Sequence, residues 1–418
     1  MTARMTEADC LALDRQPDPL DSVSAGFAPG APDTIYLDAN SIGPMPLAAP
    51  ACLAAVLEDG WRRDRRRGWS TSDWLEQPRA LGRSVAHIVG AAPDDVLVCD
   101  STSINLYKLL RHALAAAAPR RQLIVERSVF PTNSYVAQGL AHEDGADLVF
   151  VESEEDLPAA FAARDVAVVA LSHVDYRSGR RLDMKRLTSL IHEHGALVLW
   201  DLSHSAGAVA VHLHDCDVDY AVAAGYKYLC GGPGAPALLY MHPRLQSAAW
   251  PAICGWMGHA DTFGFSPDYE PAPGVARQLA GTPAVIANAA WSAAAALWRQ
   301  VDPGRMDARH RSLGELLLRL LEQECEGLGI EISSPREHAC RGGHVAVRMT
   351  SPDANVDALG QALVHDKVVV STRKPDSLRF GIHPLTTRHA DLWQAVQRLR
   401  RILETGKWRE PEFSGRGI

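Results

Sequence analysis

From Asp94 onward the chain alternates short apolar runs with longer stretches of helical periodicity. Residues 96–99, 123–125, 148–151, 166–171, 196–200 and 221–224 read as strands, apolar enough to be buried on both faces. Ten or more residues of helix-like pattern separate most of them, as in 182–194. That alternation predicts an α/β fold built on a mainly parallel sheet covered on both sides. After about Pro303 the text changes to a helix at 312–325, strands at 345–349 and 368–371, and a closing helix at 390–403, which predicts a smaller α+β domain. Before the sheet, the Asp- and Pro-rich opening to about Gly30 reads as an irregular arm. A short strand at 35–37 and a helix at 47–60 follow it. The expected division is 1–60 as an arm and helix joining the small domain, 61–300 as the large domain and 301–418 as the small one.

Composition narrows the class. With 418 residues, 47% hydrophobic and 22% charged, the chain is long and apolar enough for large buried cores. Its net charge of -8 argues against a nucleic-acid partner. Eight Cys without a CxxC pair argue against a structural zinc site and fit a reducing compartment. No HExxH or similar pattern groups the 17 His, so no metal is expected. The opening MTARMTEADCLALDRQ lacks the apolar core of a secretion signal, and no apolar run is long enough to span a bilayer, so a cytoplasmic protein without membrane contact is expected.

Ligands of such folds sit at the carboxyl ends of the strands. In ALVLWDLSHSAGA, Asp201 directly follows a strand and His204 comes three residues later; alone, such an Asp is commonly a helix cap. In DYAVAAGYKYLCGGPG, Lys227 stands between apolar segments before a Gly/Pro turn; alone, such a Lys is commonly an exposed loop residue. The two together carry more weight. Pyridoxal 5′-phosphate chemistry requires a Lys for the Schiff base and an acid that keeps the pyridine nitrogen protonated. Asp201 and Lys227 follow consecutive strands and can reach one cofactor. Ser101, Thr102 and Ser103 open a helix after a strand, which is a phosphate site or a plain cap. Ser172 ends another strand, and Phe130 in SVFPTNSY can stack on a ring or serve as a packed anchor.

The stretches YLDANSIGP, DSTSINLYKLL, FPTN, LSHVDYRSG, WDLSHSAGA, GYKYLCGGPGAPA, GWMGHADTF, YEPAPGVARQLAGTP, PREHACRGGHV and LRFGIHPL run from about Cys10 to Trp408. Across them the chain resembles kynureninase, a fold-type I pyridoxal-phosphate-dependent hydrolase, in its bacterial branch. The resemblance implies that Lys227 forms the Schiff base, Asp201 pairs with the pyridinium nitrogen, His204 lies beside the ring and Phe130 stacks on it. Thr102, Ser103, Ser172 and Tyr226 hold the phosphate end, with Trp256 and Thr282 arriving from a second subunit. Asn133 belongs to the same cofactor set. Arg379 takes the substrate α-carboxylate, since a guanidinium binds carboxylate bidentately. Trp69, Ser41 and Gly281 line the aryl pocket. A homodimer with the active site at the subunit interface is implied, acting on a small molecule of tryptophan catabolism. The implied reaction is hydrolysis of a Cβ–Cγ bond to release an aryl carboxylate and alanine, with Tyr226 a candidate proton relay beside Lys227.

Four positions depart from the family pattern. Asn133 stands where Asp is usual after FPT, and Cys230 where Asn is usual after YKYL. VVVSTRKP lacks the usual acidic residues, with Lys374 in place of Glu, and LTTR carries Thr386 in place of a Tyr-bearing turn. These changes bear on the substrate, for which kynurenine, 3-hydroxykynurenine and a ring-modified analogue are the choices. A cysteine desulfurase is the rival enzyme, but Tyr226 stands where such enzymes carry His, and Cys340 is the single candidate nucleophile. A non-enzymatic binding protein is the other rival, opposed by the intact Lys227, Asp201 and Arg379. The run WRRDRRRG, with five Arg in eight residues, reads as a solvated face.

Overall fold

The computed structural model describes residues 4–162 and 165–413. The outer ends of the spans 1–60 and 301–418, and two residues within 61–300, lie outside the described residues. The opening segment is less irregular than its composition predicts. It contains helix α1, Glu7–Asp14. Thr6 Oγ1 accepts the Asp9 amide at 3.3 Å and the Asp9 carboxylate accepts the Thr6 amide at 2.9 Å. The polar residues that argued against a helix are the ones that cap it.

The apolar runs become six strands of a seven-stranded sheet: β1 Val96–Cys99, β2 Gln122–Glu126, β3 Asp147–Val151, β4 Val166–Ser172, β5 Leu197–Asp201 and β6 Tyr220–Ala223, with β7 Ala237–Met241 as the seventh. Their order is β1-β7-β6-β5-β4-β2-β3. Successive side chains point to opposite faces, so each strand feeds two cores. Val169, Leu171, Val198 and Trp200 enter one of them. Val168, Ala170, Leu199 and Val222 enter the other. Helices α2 (Thr102–Ala116) and α3 (Pro131–Asp144) cover the second face through Leu106, Leu109, Leu110 and Leu140. Helices α4 (Met184–Glu193) and α5 (Val285–Trp298) cover the first through Leu187, Ile191, Trp291 and Trp298.

The sequence reading passed over β7, which runs antiparallel between β1 and β6. The run ALLYM is as apolar as its neighbours, but no helix precedes it. A direct return without a crossover helix forces antiparallel pairing. That return, residues 224–236, is the segment that carries Lys227.

The second sheet holds β8 (Ile330–Ile332), β9 (His344–Met349), β10 (Ser371–Arg373) and β11 (Ser377–Gly381), antiparallel in the order β10-β11-β9-β8. Helices α6 (Pro303–Cys325), α7 (Val356–His365) and α8 (His389–Thr405) pack on it around a separate core. Two expected boundaries shift. Helix α6 starts at Pro303 rather than 312 because Asp302 caps the Arg305 amide at 2.8 Å and Pro suits the first helical position. The strand expected at 368–371 divides, with Val368–Val369 pairing in parallel with Ile35–Tyr36 and Ser371 opening β10. The N-terminal segment serves both cores: Cys10, Ile35 and Leu37 enter the small one, and Leu20, Val23 and Phe27 the large one. The helix expected at 47–60 is α-helical over Ala49–Ala55 and continues as wider π-helical turns over Val56–Asp64. Glu58–Arg62 and Asp59–Arg63 pair along the exposed side of those turns.

Candidate active site

The carboxyl ends of β1, β2, β4, β5 and β6 open onto one cleft. It is lined by Thr102 and Ser103 on one side, Asp201 and Asn133 at depth, and Phe130, Tyr176, Tyr226, His204 and Lys227 around them. The turn from β1 into α2 is shaped by Asp100, whose φ of 47° lies in the left-handed region. The buried Lys108 amine holds its carboxylate at 2.7 Å, and Asn105 donates to the Cys99 carbonyl at 2.8 Å. Ser101 caps the Ile104 amide at 3.4 Å, which leaves the Thr102 and Ser103 amides and hydroxyls at the mouth of a 15-residue helix. Such a mouth suits a phosphate.

Asp201 is the last residue of β5 and lies opposite Ser172, the last of β4. It is buried. Its Oδ1 accepts the Ser203 amide at 2.9 Å and its Oδ2 accepts the Asn133 amide nitrogen at 3.2 Å. Lys227 lies in the turn four residues beyond β6. Its Nζ is 3.0 Å from His204 Nε2 and 5.7 Å from the centre of the Phe130 ring. Burial pushes the amine down to about 8, aided by the Arg379 and Arg373 charges and opposed by Asp201 and Asp38. Burial, reinforced by the Lys227 charge, holds His204 neutral, and its buried Nδ1 has no partner among the described residues. Burial and the Asp201 charge raise the Tyr226 phenol, which stays protonated. The turn depends on two close approaches. A Cβ on Gly225 would stand 2.1 Å from the Pro236 carbonyl oxygen, and one on Gly43 would stand 2.1 Å from that of Lys227.

Arg379 lies in β11, fully buried. It donates from Nε and Nη2 to Ser371 Oγ at 3.1 and 2.9 Å, and from Nη1 to the carbonyl of Tyr176, a residue of the cleft wall. Asn40, its amide oxygen turned to the guanidinium, accepts from Nε and Nη2 at 3.2 Å. Among the described residues no carboxylate pairs with this buried cation. Burial and the neighbouring Arg373 charge lower it to about 10.

These residues form a set with a carboxylate at one end, an amine of lowered basicity in the middle and a helix mouth at the other end. The set matches what the comparisons find. Residues 306–399 match a family model described as the kynureninase C-terminal domain. A kynureninase of Pseudomonas fluorescens is 41% identical over 98% of this chain and 99% of its own length. One of Burkholderia mallei is 40% identical with the same coverage. The chain belongs to the kynureninase family. It is thereby a pyridoxal-phosphate-dependent hydrolase, and the cleft fits that cofactor: it is lined by Asp201, by Thr102 and Ser103 at the mouth of α2, and by His204, whose buried Nδ1 has no partner among the described residues. Solved structures agree on the fold. The cysteine desulfurase CsdA of Escherichia coli superposes with a TM-score of 0.75 at 19% identity, over 93% of this chain and 99% of that one. A C-DES variant with glycine covalently linked to its cofactor gives 0.76 at 20%, over 92% and 99%.

Against the kynureninase resemblance, the cleft brings together Thr102, Ser103, Phe130, Asn133, Ser172, Asp201, His204, Tyr226 and Lys227. Trp256, Thr282, Trp69, Gly281, Ser41 and Arg379 are not among its lining residues, and Arg379 meets the cleft wall through the Tyr176 carbonyl. Trp69 instead packs edge-on against Trp74 and Trp256, with ring centres 5.7 and 5.6 Å apart. Ser41 donates to Asp38 at 2.7 Å. The sequence reading assigned no role to Thr132, Tyr176 or Ser203, which line the cleft, nor to Asn40 and Ser371, which hold Arg379. Tyr176 had a signal: it lies four residues beyond a strand end, inside LSHVDYRSG. Cys230, at a φ of 60°, sets its thiol 3.2 Å from His383 Nε2 in the buried floor below the Lys227 turn.

Proposed function

We propose that the protein hydrolyses L-kynurenine, or its 3-hydroxy derivative, to anthranilate, or 3-hydroxyanthranilate, and L-alanine. The observation that carries the reading is the placement of Lys227, Asp201 and the α2 mouth in one cleft in a chain of this family. Pyridoxal phosphate supplies an electron sink for charge that develops on the substrate's carbon skeleton. Thr102, Ser103, Ser172 and Tyr226 would hold its phosphate end, Asp201 would keep a proton on the ring nitrogen, and Phe130 and His204 would lie beside the ring. Lys227 would anchor it and would move the substrate α-proton. Its lowered basicity suits both tasks.

Arg379, already oriented by Ser371, Asn40 and the Tyr176 carbonyl, takes the substrate α-carboxylate. Water adds to the γ-carbonyl and the Cβ–Cγ bond breaks, so that the aryl group leaves as a carboxylate and the three-carbon remainder as alanine. Tyr226, protonated and beside Lys227, relays a proton. Tyr226→Phe should slow turnover by more than it weakens cofactor binding, and unchanged turnover would remove the relay role.

The active unit in this reading is a homodimer. Trp256 and Thr282 reach the phosphate of the other subunit, while Trp69, Ser41 and Gly281 form the aryl pocket. The division at about 60 and 300 separates the arm, the cofactor domain and the small domain. The protein works in the cytoplasm; among the described residues no helix is long and apolar enough to cross a membrane.

The test is anthranilate fluorescence released from L-kynurenine by purified, cofactor-loaded protein, with alanine measured in parallel and 3-hydroxykynurenine as competitor. Equal release of both products supports the reading. A visible cofactor band without release would move it to a ring-modified substrate.

A further inference from the structure

We propose that Asn133 is a positioning residue which presents a neutral donor to Asp201 and so orients that carboxylate toward the cofactor ring without placing a second titratable group beside it. This rests on the reading of Asp201 given above. Asn133 is the third residue of α3 and is buried, with 3% of its surface exposed. Its backbone amide donates to the Phe130 carbonyl at 3.0 Å, which fixes the first turn of α3 against the ring-stacking residue. Its side-chain nitrogen reaches Asp201 Oδ2 at 3.2 Å across 68 residues of sequence.

An ionised carboxylate only accepts hydrogen bonds, so the amide must point its nitrogen inward. With Ser203 donating to Oδ1, each Asp201 oxygen then has a protein donor, and neither bond requires a proton on Asp201. An Asp at position 133 would reverse this logic. Two carboxyl groups about 3 Å apart in a buried site cannot both stay ionised, so they share a proton. Among the described residues lining the cleft, the other titratable groups are Lys227 and Tyr226 from the turn beyond β6, His204, which follows β5, and Tyr176 from the loop after β4. Burial holds His204 neutral and the Tyr226 phenol protonated. Lys227 is consumed as the cofactor's anchor. In the loaded protein, replacing Asn133 with Asp therefore adds a titration that the natural chain does not have.

The experiment compares the natural chain with Asn133→Asp and Asn133→Leu, each loaded with pyridoxal phosphate. The readouts are the cofactor's absorbance between pH 5 and 8 and the equilibrium affinity of the cofactor-free proteins for it. Asn133→Asp should introduce a spectral transition in the weakly acidic range that is absent from the natural chain. Asn133→Leu keeps the volume, loses the donor, and should weaken cofactor binding about tenfold without adding a transition. Two results would overturn the proposal: identical pH profiles for the natural chain and Asn133→Asp, or an Asn133→Leu protein with unchanged affinity. Failure of the natural chain itself to bind pyridoxal phosphate would instead sink the cofactor reading, which separates the two failures. Thermal unfolding of the cofactor-free variants shows that they are folded.

Discussion

Lys227 Nζ stands 3.0 Å from His204 Nε2, and the two groups cannot both be charged. Burial first, then the lysine's own charge, keeps the imidazole neutral, so it accepts a hydrogen bond from the amine. Burial also lowers the lysine from 10.5 to about 8. Below that midpoint Nζ is protonated and cannot attack a carbonyl; above it the free amine can. The rate at which cofactor-free protein captures pyridoxal phosphate covalently should therefore rise with pH about a midpoint near 8. Stopped-flow absorbance measures it directly. A midpoint near 10, as for an exposed lysine, would show that the cleft does not desolvate the amine.

Arg379 is a buried guanidinium without a carboxylate partner among the described residues, and two side chains and a backbone carbonyl orient it. A buried cation held that way is disposed to accept an anion. Arg379→Gln should lower kcat/KM by about 100-fold, mostly through KM, because losing one partner of a buried charge pair typically costs 2–5 kcal/mol. Asn40→Ala and Ser371→Ala remove orienting contacts only and should each cost about tenfold or less. Steady-state kinetics with L-kynurenine separates the cases. An Arg379→Gln enzyme with unchanged KM would remove Arg379 from substrate binding.

The sheet was legible because its strands are buried on both faces. Nothing but a continuous apolar run can occupy 166–171 or 196–200 and supply alternate side chains to two cores. The polar lining of the cleft was legible for the same reason: Asp201 and Lys227 are polar residues just beyond such runs. What stayed hidden was set by tertiary pairing. β7 looks like the end of a Gly/Pro loop until β1 and β6 are seen to flank it. β11 is interrupted by Arg379, whose charge breaks the apolar pattern that would mark a strand, though its neighbours Leu378 and Phe380 are fully buried. α1 hides behind its own capping residues. The acceptors that orient Arg379 come from the N-terminal segment and from β10, more than 300 residues apart. No local pattern could join them.

Gly225 sets how closely the Lys227 turn approaches the return strand. An added methyl would stand 2.1 Å from the Pro236 carbonyl oxygen and 2.6 Å from Trp291 Nε1. Trp291 donates to that same oxygen at 2.9 Å, so the methyl would wedge into an existing hydrogen bond. Both neighbours are buried and cannot retreat cheaply. Gly225→Ala should lower stability by about 2–3 kcal/mol and reduce cofactor affinity, because the displaced segment carries Lys227. Denaturant unfolding and cofactor titration check the two effects. A Gly225→Ala protein with wild-type values for both would mean that the turn shifts without strain.

Acid stability should depend on a group remote from the cleft. Asp307 in α6 is opposed by burial, yet it ends at about 2 because His338 donates to it at 2.9 Å, the Ala210 amide donates at 2.9 Å and the Arg181 charge is near. These contacts tie α6 to the segment that follows β5 and to the loop before β9. A carboxyl whose folded value lies below its unfolded value of 3.8 stabilises the fold above about pH 4, and that contribution is lost as pH falls toward 2. The shift corresponds to about 2 kcal/mol at neutral pH. Asp307→Asn should cost roughly that amount at pH 7 and flatten the stability curve between pH 4 and 2. Urea unfolding at a series of pH values measures both. A variant that loses stability equally at pH 7 and pH 2 would show that Asp307 acts through packing rather than charge.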